Sequence, residues 1–210
     1  MTDMADTYRG LDALQLRRKT KIRIAALALL PLLVFTTGWA AEGSWFREGL
    51  ETTGLLMTLV GILGRAWSTL YIGGRKAREL VTAGPYSVSR NPLYLFAFIA
   101  VAGLGAQTGS LVMAGLFALG AYLIFAPVVR HEERALRAMF GAEFEAYRAE
   151  VPRFLPRFSQ WRDVPSLRID PRRYRRTVLD GLVMLGLVPL IDGAEWLRSL
   201  GPSLPLLHLV

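Results

Sequence analysis

The sequence predicts an all-α fold, a polytopic membrane helix bundle with four or five transmembrane helices. Three observations lead there. Hydrophobic residues make up 52% of the 210-residue chain, and its mean hydropathy is positive. The apolar residues fall in long blocks: Ile24 to Ala41 carries no charge, Leu50 to Ile72 only Glu51 and Arg65, and Leu93 to Val129 none over 37 residues. A spanning helix needs about 20 such residues. Third, Lys and Arg gather at Arg9 to Arg23, Arg75 to Arg90 and Arg130 to Arg176, while 42–49 and 107–110 hold only Arg47. That alternation is the positive-inside pattern, and it predicts that the N-terminus, the 73–92 loop and the 130–177 segment are cytoplasmic.

Residues 1–21 read as a cytoplasmic N-terminal segment, with Tyr8, Leu11 and Leu14 at the spacing of a short interfacial helix. Spanning helices are expected over 22–40, 50–72, 93–106 and 111–130, the last two forming a hairpin that turns at Gln107-Thr108-Gly109-Ser110. Twenty polar residues precede the first block and no small-x-small site flanks it, so a signal peptide is not expected. Gly73-Gly74 suits a helix C-terminus, and Gly84-Pro85 forces a turn. Pro92 fits the first turn of a helix, where its missing N–H costs nothing. Pro127, inside the last turns of the 111–130 helix, should kink it.

Beyond it, Phe140, Phe144, Tyr147 and Val151 fall on one helical face. The expectation is a helix packed on the cytoplasmic end of the bundle, the alternative a helix free on the membrane surface. Pro152, Pro156 and Pro165 interrupt a stretch mixing Arg153, Phe154, Arg157, Phe158 and Trp161, as interfacial segments do. The block from Val178 to Leu197 contains Asp180, Pro189, Asp192 and Glu195, and reads equally as a fifth span or a re-entrant segment. The organisation is therefore 1–21, a core over 22–177, and a C-terminal membrane segment over 178–210.

A formal charge of +8 and a pI near 10.3 raise the question of nucleic acid. Between Arg130 and Arg176 twelve Arg face seven acidic residues, at the edge of a membrane segment and without an RNA-binding motif. Anionic lipid headgroups are the better partner and no nucleic acid is expected. Zero cysteines exclude disulfides, thiolate metal sites and cysteine nucleophiles, and two histidines, His131 and His208, exclude a histidine-rich metal centre.

Four groups of residues suit chemistry. Glu132-Glu133 fits a cationic or amine-bearing ligand; alternatively Glu133 pairs with Arg137 at i,i+4. Arg90 and Asn91 beside Pro92 offer donors at a helix N-terminus, where anions bind; alternatively they are a plain basic flank. Tyr86 and Tyr94 can stack on a base or face a cation, or anchor at the interface. Arg65, about 10 Å inside its helix, either snorkels or faces inward toward a substrate carboxylate or phosphate, Glu132 or Glu133.

The order Leu80-Val81-Thr82-Ala83-Gly84-Pro85-Tyr86, Ser89-Arg90-Asn91-Pro92-Leu93-Tyr94, Glu132-Glu133, Leu136, Phe140-Gly141, Tyr147 and Val151-Pro152 resembles the isoprenylcysteine carboxyl methyltransferases and related phospholipid methyltransferases. The resemblance implies an integral-membrane enzyme that uses S-adenosylmethionine in a cytoplasmic cofactor pocket. It implies that Leu80, Val81, Tyr86, Asn91, Pro92, Leu93 and Tyr94 line that pocket, with Glu132 closing it. The expected reaction moves a methyl group to an O or N atom of a lipid or other amphiphile. Arg90 would meet the cofactor carboxylate, Glu133 would take a proton where the acceptor is an ammonium, and Arg65 and Arg130 would meet the substrate.

Two positions depart from the family pattern. Its common Arg-His-Pro becomes Arg90-Asn91-Pro92, whose middle side chain cannot titrate near neutrality. The arginine one turn before the matching glutamate in the prenylcysteine enzymes is Val128 here. Two other readings stay open, a sterol-reductase-like enzyme using NADPH and a non-catalytic lipid-binding scaffold. The Arg-, Ala- and Leu-rich, cysteine-free composition suggests a bacterial inner membrane.

Overall fold

In the computed structural model the described residues are 36–38, 43–73, 79–200 and 207–209. The expected 1–21 segment, and the first spanning helix except for Thr36–Gly38, lie outside them. Those three residues were expected to be helical; they are extended (β1) and pair in parallel with Leu207–Leu209 (β2). Every other described element is helical: α1 Trp45–Ile72, α2 Pro85–Val88, α3 Pro92–Ala106, α4 Leu111–Glu150, a short 3-10 turn Phe158–Gln160, α5 Pro171–Leu185 and α6 Leu187–Leu200.

Two of the described helices, α1 and α4, are long and apolar enough to cross a membrane, and α3 is apolar but shorter. The charge-free half of α4 ends at Val129. The hairpin expected at 107–110 is present. Gly109 takes a positive φ of 66°, Ser110 caps α4 by accepting from the Met113 N–H, and Gln107 Nε2 donates to the Glu51 carbonyl.

Small residues let α1 and α3 cross closely. A Cβ at Gly61 would lie 2.6 Å from the Ala100 nitrogen, and one at Gly54 would lie 2.7 Å from the Gly103 carbonyl. The Thr58 hydroxyl bonds the Gly54 carbonyl one turn back at 2.9 Å and reaches the Ala100 carbonyl across this contact at 3.4 Å. Between apolar helices such close backbone approach supplies the packing that holds them together. It also fixes where α3 begins. Pro92 occupies the first turn of α3 as expected.

The chain past α4 differs from expectation in two places. Helical geometry runs through Pro127, and the break falls at Gly141 (φ 52°, ψ −120°), a conformation that suits glycine. After that break Phe144, Tyr147 and Val151 pack with Leu80, Leu136 and Phe140, so the expected apolar face is docked on the bundle. The proline-rich stretch that follows is a strap. Its backbone bonds the 84–90 turn through Arg90 N to the Pro152 carbonyl (2.9 Å), Arg157 N to the Val88 carbonyl (3.0 Å) and Gly84 N to the Arg162 carbonyl (2.6 Å).

The last apolar block runs along the bundle. In α5 Thr177 bonds Thr69 near the C-terminal end of α1, and Gly181 faces Ile62. In α6 Val188 and Ile191 join Leu104, Met113 and Phe117 near the hairpin turn. The break between the two helices is at Gly186, and the expected boundary at 177/178 falls inside α5.

Replacing Gly61 by Val should therefore lower stability by about 1–3 kcal/mol through overpacking. Gly115, with nothing within 4 Å of an added Cβ, should accept Ala without loss. Thermal unfolding of both variants in detergent checks the contrast.

Candidate functional site

The site gathers at one end of the bundle, where the 84–91 turn, α4 and the strap converge on Glu133. Its position on α4 one turn past the apolar half points it inward, 7% exposed. Arg153 from the strap holds Glu133 side-on, with Nη2 to Oε2 at 2.7 Å and Nε to Oε2 at 3.1 Å. Arg90 Nε reaches Oε1 at 3.2 Å and Asn91 Nδ2 reaches it at 3.0 Å. The alternative pairing of Glu133 with Arg137 is not formed; Arg137 bonds Glu145 at 2.8 Å. Burial pushes the Glu133 carboxyl upward, but hydrogen bonds from Arg153 and Asn91 and the charges of Arg90 and Arg153 outweigh it. The net effect holds Glu133 below the usual carboxylate range.

Arg90 faces the protein rather than open space. Besides Glu133, its Nη1 donates to the carbonyls of Arg148 (2.8 Å) and Val151 (2.7 Å). Asn91 starts α3 without capping it, because its side chain is turned to Glu133. A histidine could make that contact through one ring N–H; asparagine makes it without a titrating group.

Tyr86 is the second centre. It follows Gly84, whose φ of 58° and contact with the Tyr71 ring leave no room for a side chain. Its carbonyl accepts from the Tyr147 hydroxyl at 2.7 Å. Its own hydroxyl is buried and has no hydrogen-bond partner among the described residues. Burial, with Tyr147, Glu132 and Tyr94 nearby, raises the Tyr86 hydroxyl well above its ordinary value, so it stays a neutral donor.

The other expected residues distribute around these two centres. Tyr94 is buried in the first turns of α3 and meets Phe125. Pro92 is buried beside it, while Leu93, Leu80, Val81 and Glu132 are half-buried. Arg65 is half-buried on α1. Arg130 is exposed at the mouth of a cleft of about 320 Å³ that Glu133 and Arg153 also line. Sequence reasoning named Glu133 and Arg90 but read Arg153 only as an interfacial charge. Twenty positions separate Arg153 from Glu133, and no helical periodicity links them.

Replacing Glu133 by Gln should strand two guanidiniums at once. The expected loss is about 2–3 kcal/mol, below the ~3–5 of a fully buried pair because Arg153 is partly exposed. Since the folded value is depressed, the contribution is complete above the ordinary carboxylate range and lost as pH falls through the folded value. Wild-type unfolding followed from pH 7 to 3 should show that acid loss, and the Gln variant should lack it.

A family profile for phospholipid methyltransferases matches residues 52–143, from α1 through Gly84–Tyr94 to Glu132-Glu133 and the Gly141 break. The nickel-cobalt-cadmium resistance protein NccN of Alcaligenes xylosoxydans xylosoxydans is 34% identical over 175 residues, 83% of this chain and 81% of that protein. The cobalt-zinc-cadmium resistance protein CzcN of Cupriavidus metallidurans is 34% identical over 199 residues, 94% of this chain and 91% of that protein. The protein-S-isoprenylcysteine O-methyltransferase of Schizosaccharomyces pombe is 34% identical over 94 residues, 44% of this chain and 40% of that protein. No solved structure matches significantly. Among the described residues, no group of three or more His, Asp or Glu is placed to hold a metal ion. With its two long relatives sharing most of the chain and the family profile spanning both motifs, this protein belongs to the phospholipid methyltransferase family of membrane methyltransferases.

Proposed function

We propose that the chain is an S-adenosylmethionine-dependent methyltransferase that methylates an O or N atom of a lipid or other amphiphile. Its proposed place is the bacterial inner membrane, crossed four or five times, with the N-terminus and the cofactor pocket on the cytoplasmic side. The observation that carries the reading is the Tyr86 hydroxyl, a buried donor with no hydrogen-bond partner among the described residues, set among Tyr94, Tyr147 and Glu132. A buried hydroxyl left unpaired costs roughly 1–3 kcal/mol, so a ligand that accepts its hydrogen bond recovers that cost.

These residues fit the cofactor chemically. Aromatic faces and a carboxylate suit a sulfonium, and Tyr86 suits an acceptor atom. Leu80, Val81, Asn91, Pro92 and Leu93 are proposed to complete the pocket. When bound, the cofactor supplies an electrophilic methyl group. The protein's part is to hold the acceptor in line and exclude water, which supplies much of the rate in such transfers. Arg130 and Arg65 are proposed to meet the acceptor from α4 and α1.

Glu133 and Arg90 take different parts from those the sequence suggested. A carboxylate already accepting bonds from two guanidiniums and an amide is a weak proton acceptor. We assign both to holding the 84–91 turn against α4 and the strap.

Tyr86→Phe tests the reading directly. The variant should unfold at the same or a higher temperature, because an unsatisfied hydroxyl is removed. Its affinity for S-adenosylmethionine, measured by calorimetry, should fall about 3–10-fold, the worth of one hydrogen bond. Glu132→Gln should weaken it further. Wild-type protein that binds NADPH and not S-adenosylmethionine would favour the reductase reading; binding of neither, with acceptor lipid present, would leave the scaffold.

A further inference from the structure

The cleft at the mouth of the Glu133 cluster has a chemistry opposite to that of the Tyr86 region. Arg130, Arg134, Arg137, Arg148 and Arg153 line it, with Glu133 and Phe144. Arg130, Glu133, Arg134 and Arg137 share one face of α4 by their i, i+3, i+4, i+7 spacing. Arg148 lies past the Gly141 break and Arg153 in the strap. Five guanidiniums against one carboxylate give the lining a formal charge of +4.

Glu133 is already committed to Arg153 and Arg90, and Arg137 and Arg148 share Glu145. Arg130 and Arg134 make no ion pair among the described residues. Like charges confined to one cleft repel, and guanidiniums answer that repulsion best with bidentate oxyanions such as phosphates.

We propose that this cleft binds an anion carrying two or more negative charges, of the diphosphate class, at the membrane edge. A singly charged group would leave most of the excess in place, whereas a diphosphate brings the lining close to balance. The cleft's ≈ 320 Å³ is at the small end of ligand sites, about 300–1,000 Å³, so it holds a headgroup rather than a whole amphiphile. Arg130 directly follows the apolar run that ends at Val129, so a ligand seated there can extend a tail along α4 into the bilayer. None of the cofactor residues proposed above lines the cleft, and five arginines would repel a sulfonium. The anion site stands without the methyltransferase reading; identifying its anion as part of the methyl acceptor rests on that reading.

The test uses the full chain in phosphatidylcholine nanodiscs and calorimetric titration with inorganic phosphate, pyrophosphate, farnesyl diphosphate and, separately, S-adenosylmethionine. Pyrophosphate should bind at least about tenfold tighter than phosphate, and Arg130→Gln/Arg134→Gln should weaken it by a similar factor. Neither side chain holds an ion pair among the described residues, so the double variant should fold and keep its S-adenosylmethionine affinity. Tighter binding of farnesyl diphosphate than of pyrophosphate identifies a lipid-borne anion; equal binding identifies a free one. Pyrophosphate binding no tighter than phosphate, or unchanged in the double variant, overturns the proposal. So does joint loss of S-adenosylmethionine binding in a folded variant, which would make the cleft part of the cofactor site. Diphosphate binding without S-adenosylmethionine binding would sink the methyltransferase reading and leave the anion site standing.

Discussion

The functional end of this protein depends on one buried carboxylate. Glu133 is the point where three separate stretches of chain meet: α4, the 84–91 turn and the strap after Val151. A carboxylate moved out of water next to a bilayer is costly unless its oxygens are filled and its charge is matched. Arg153 supplies a side-on pair, and Arg90 and Asn91 fill what remains. Arg90 then carries the connection onward, since its other bonds end on the carbonyls of Arg148 and Val151. Those carbonyls lie at the C-terminal end of α4, where helical carbonyls lack intrahelical partners. One arginine thus satisfies a buried acid and a helix terminus together.

That cluster works only if the turn before α3 arrives at the right depth, and the depth is set elsewhere. The close crossing of α1 and α3 through Gly54, Gly61, Gly103 and Ala100 leaves little freedom to slide one helix along the other. Thr58 adds a polar bond across the same contact to the Ala100 carbonyl. Pro92 then begins α3 at the height of Glu133, and the Gly84 turn folds the preceding residues under the strap. Packing in the apolar part of the bundle therefore decides whether the polar end can form.

What the sequence made legible follows the range of the forces involved. Hydropathy blocks identified α1, α3 and α4, because a long run of apolar residues without charge is legible from composition alone. Local stereochemistry identified the Gly84 turn, the role of Pro92 and the apolar face from Phe140 to Val151. Contacts between distant segments were not legible. The i,i+4 rule offered Arg137 to Glu133, whereas the strap delivers Arg153, and Arg137 turns to Glu145 instead. Pro127 was expected to bend α4, yet a proline removes only one backbone bond and the helix passes through it. Gly141 makes the break because it can take a positive φ that other residues avoid. The 178–197 block was ambiguous because its acidic residues lower its hydropathy, and only its packing on Ile62, Leu104 and Met113 assigns it to the bundle.

The same cluster also divides the site electrostatically. Tyr86 has Tyr94, Tyr147 and Glu132 near it, groups that favour a cation. The cleft that Glu133 lines holds five arginines, groups that favour an anion. Glu133 meets two guanidiniums with one carboxylate, so the cluster keeps a formal excess of one positive charge. On the proposed reading this arrangement sorts a cationic methyl donor and an anionic acceptor into separate places without a titrating residue. The Asn91 substitution is consistent with that division. A histidine there could change charge with pH and shift the balance of the cluster, whereas asparagine supplies the same N–H to Glu133 at any pH.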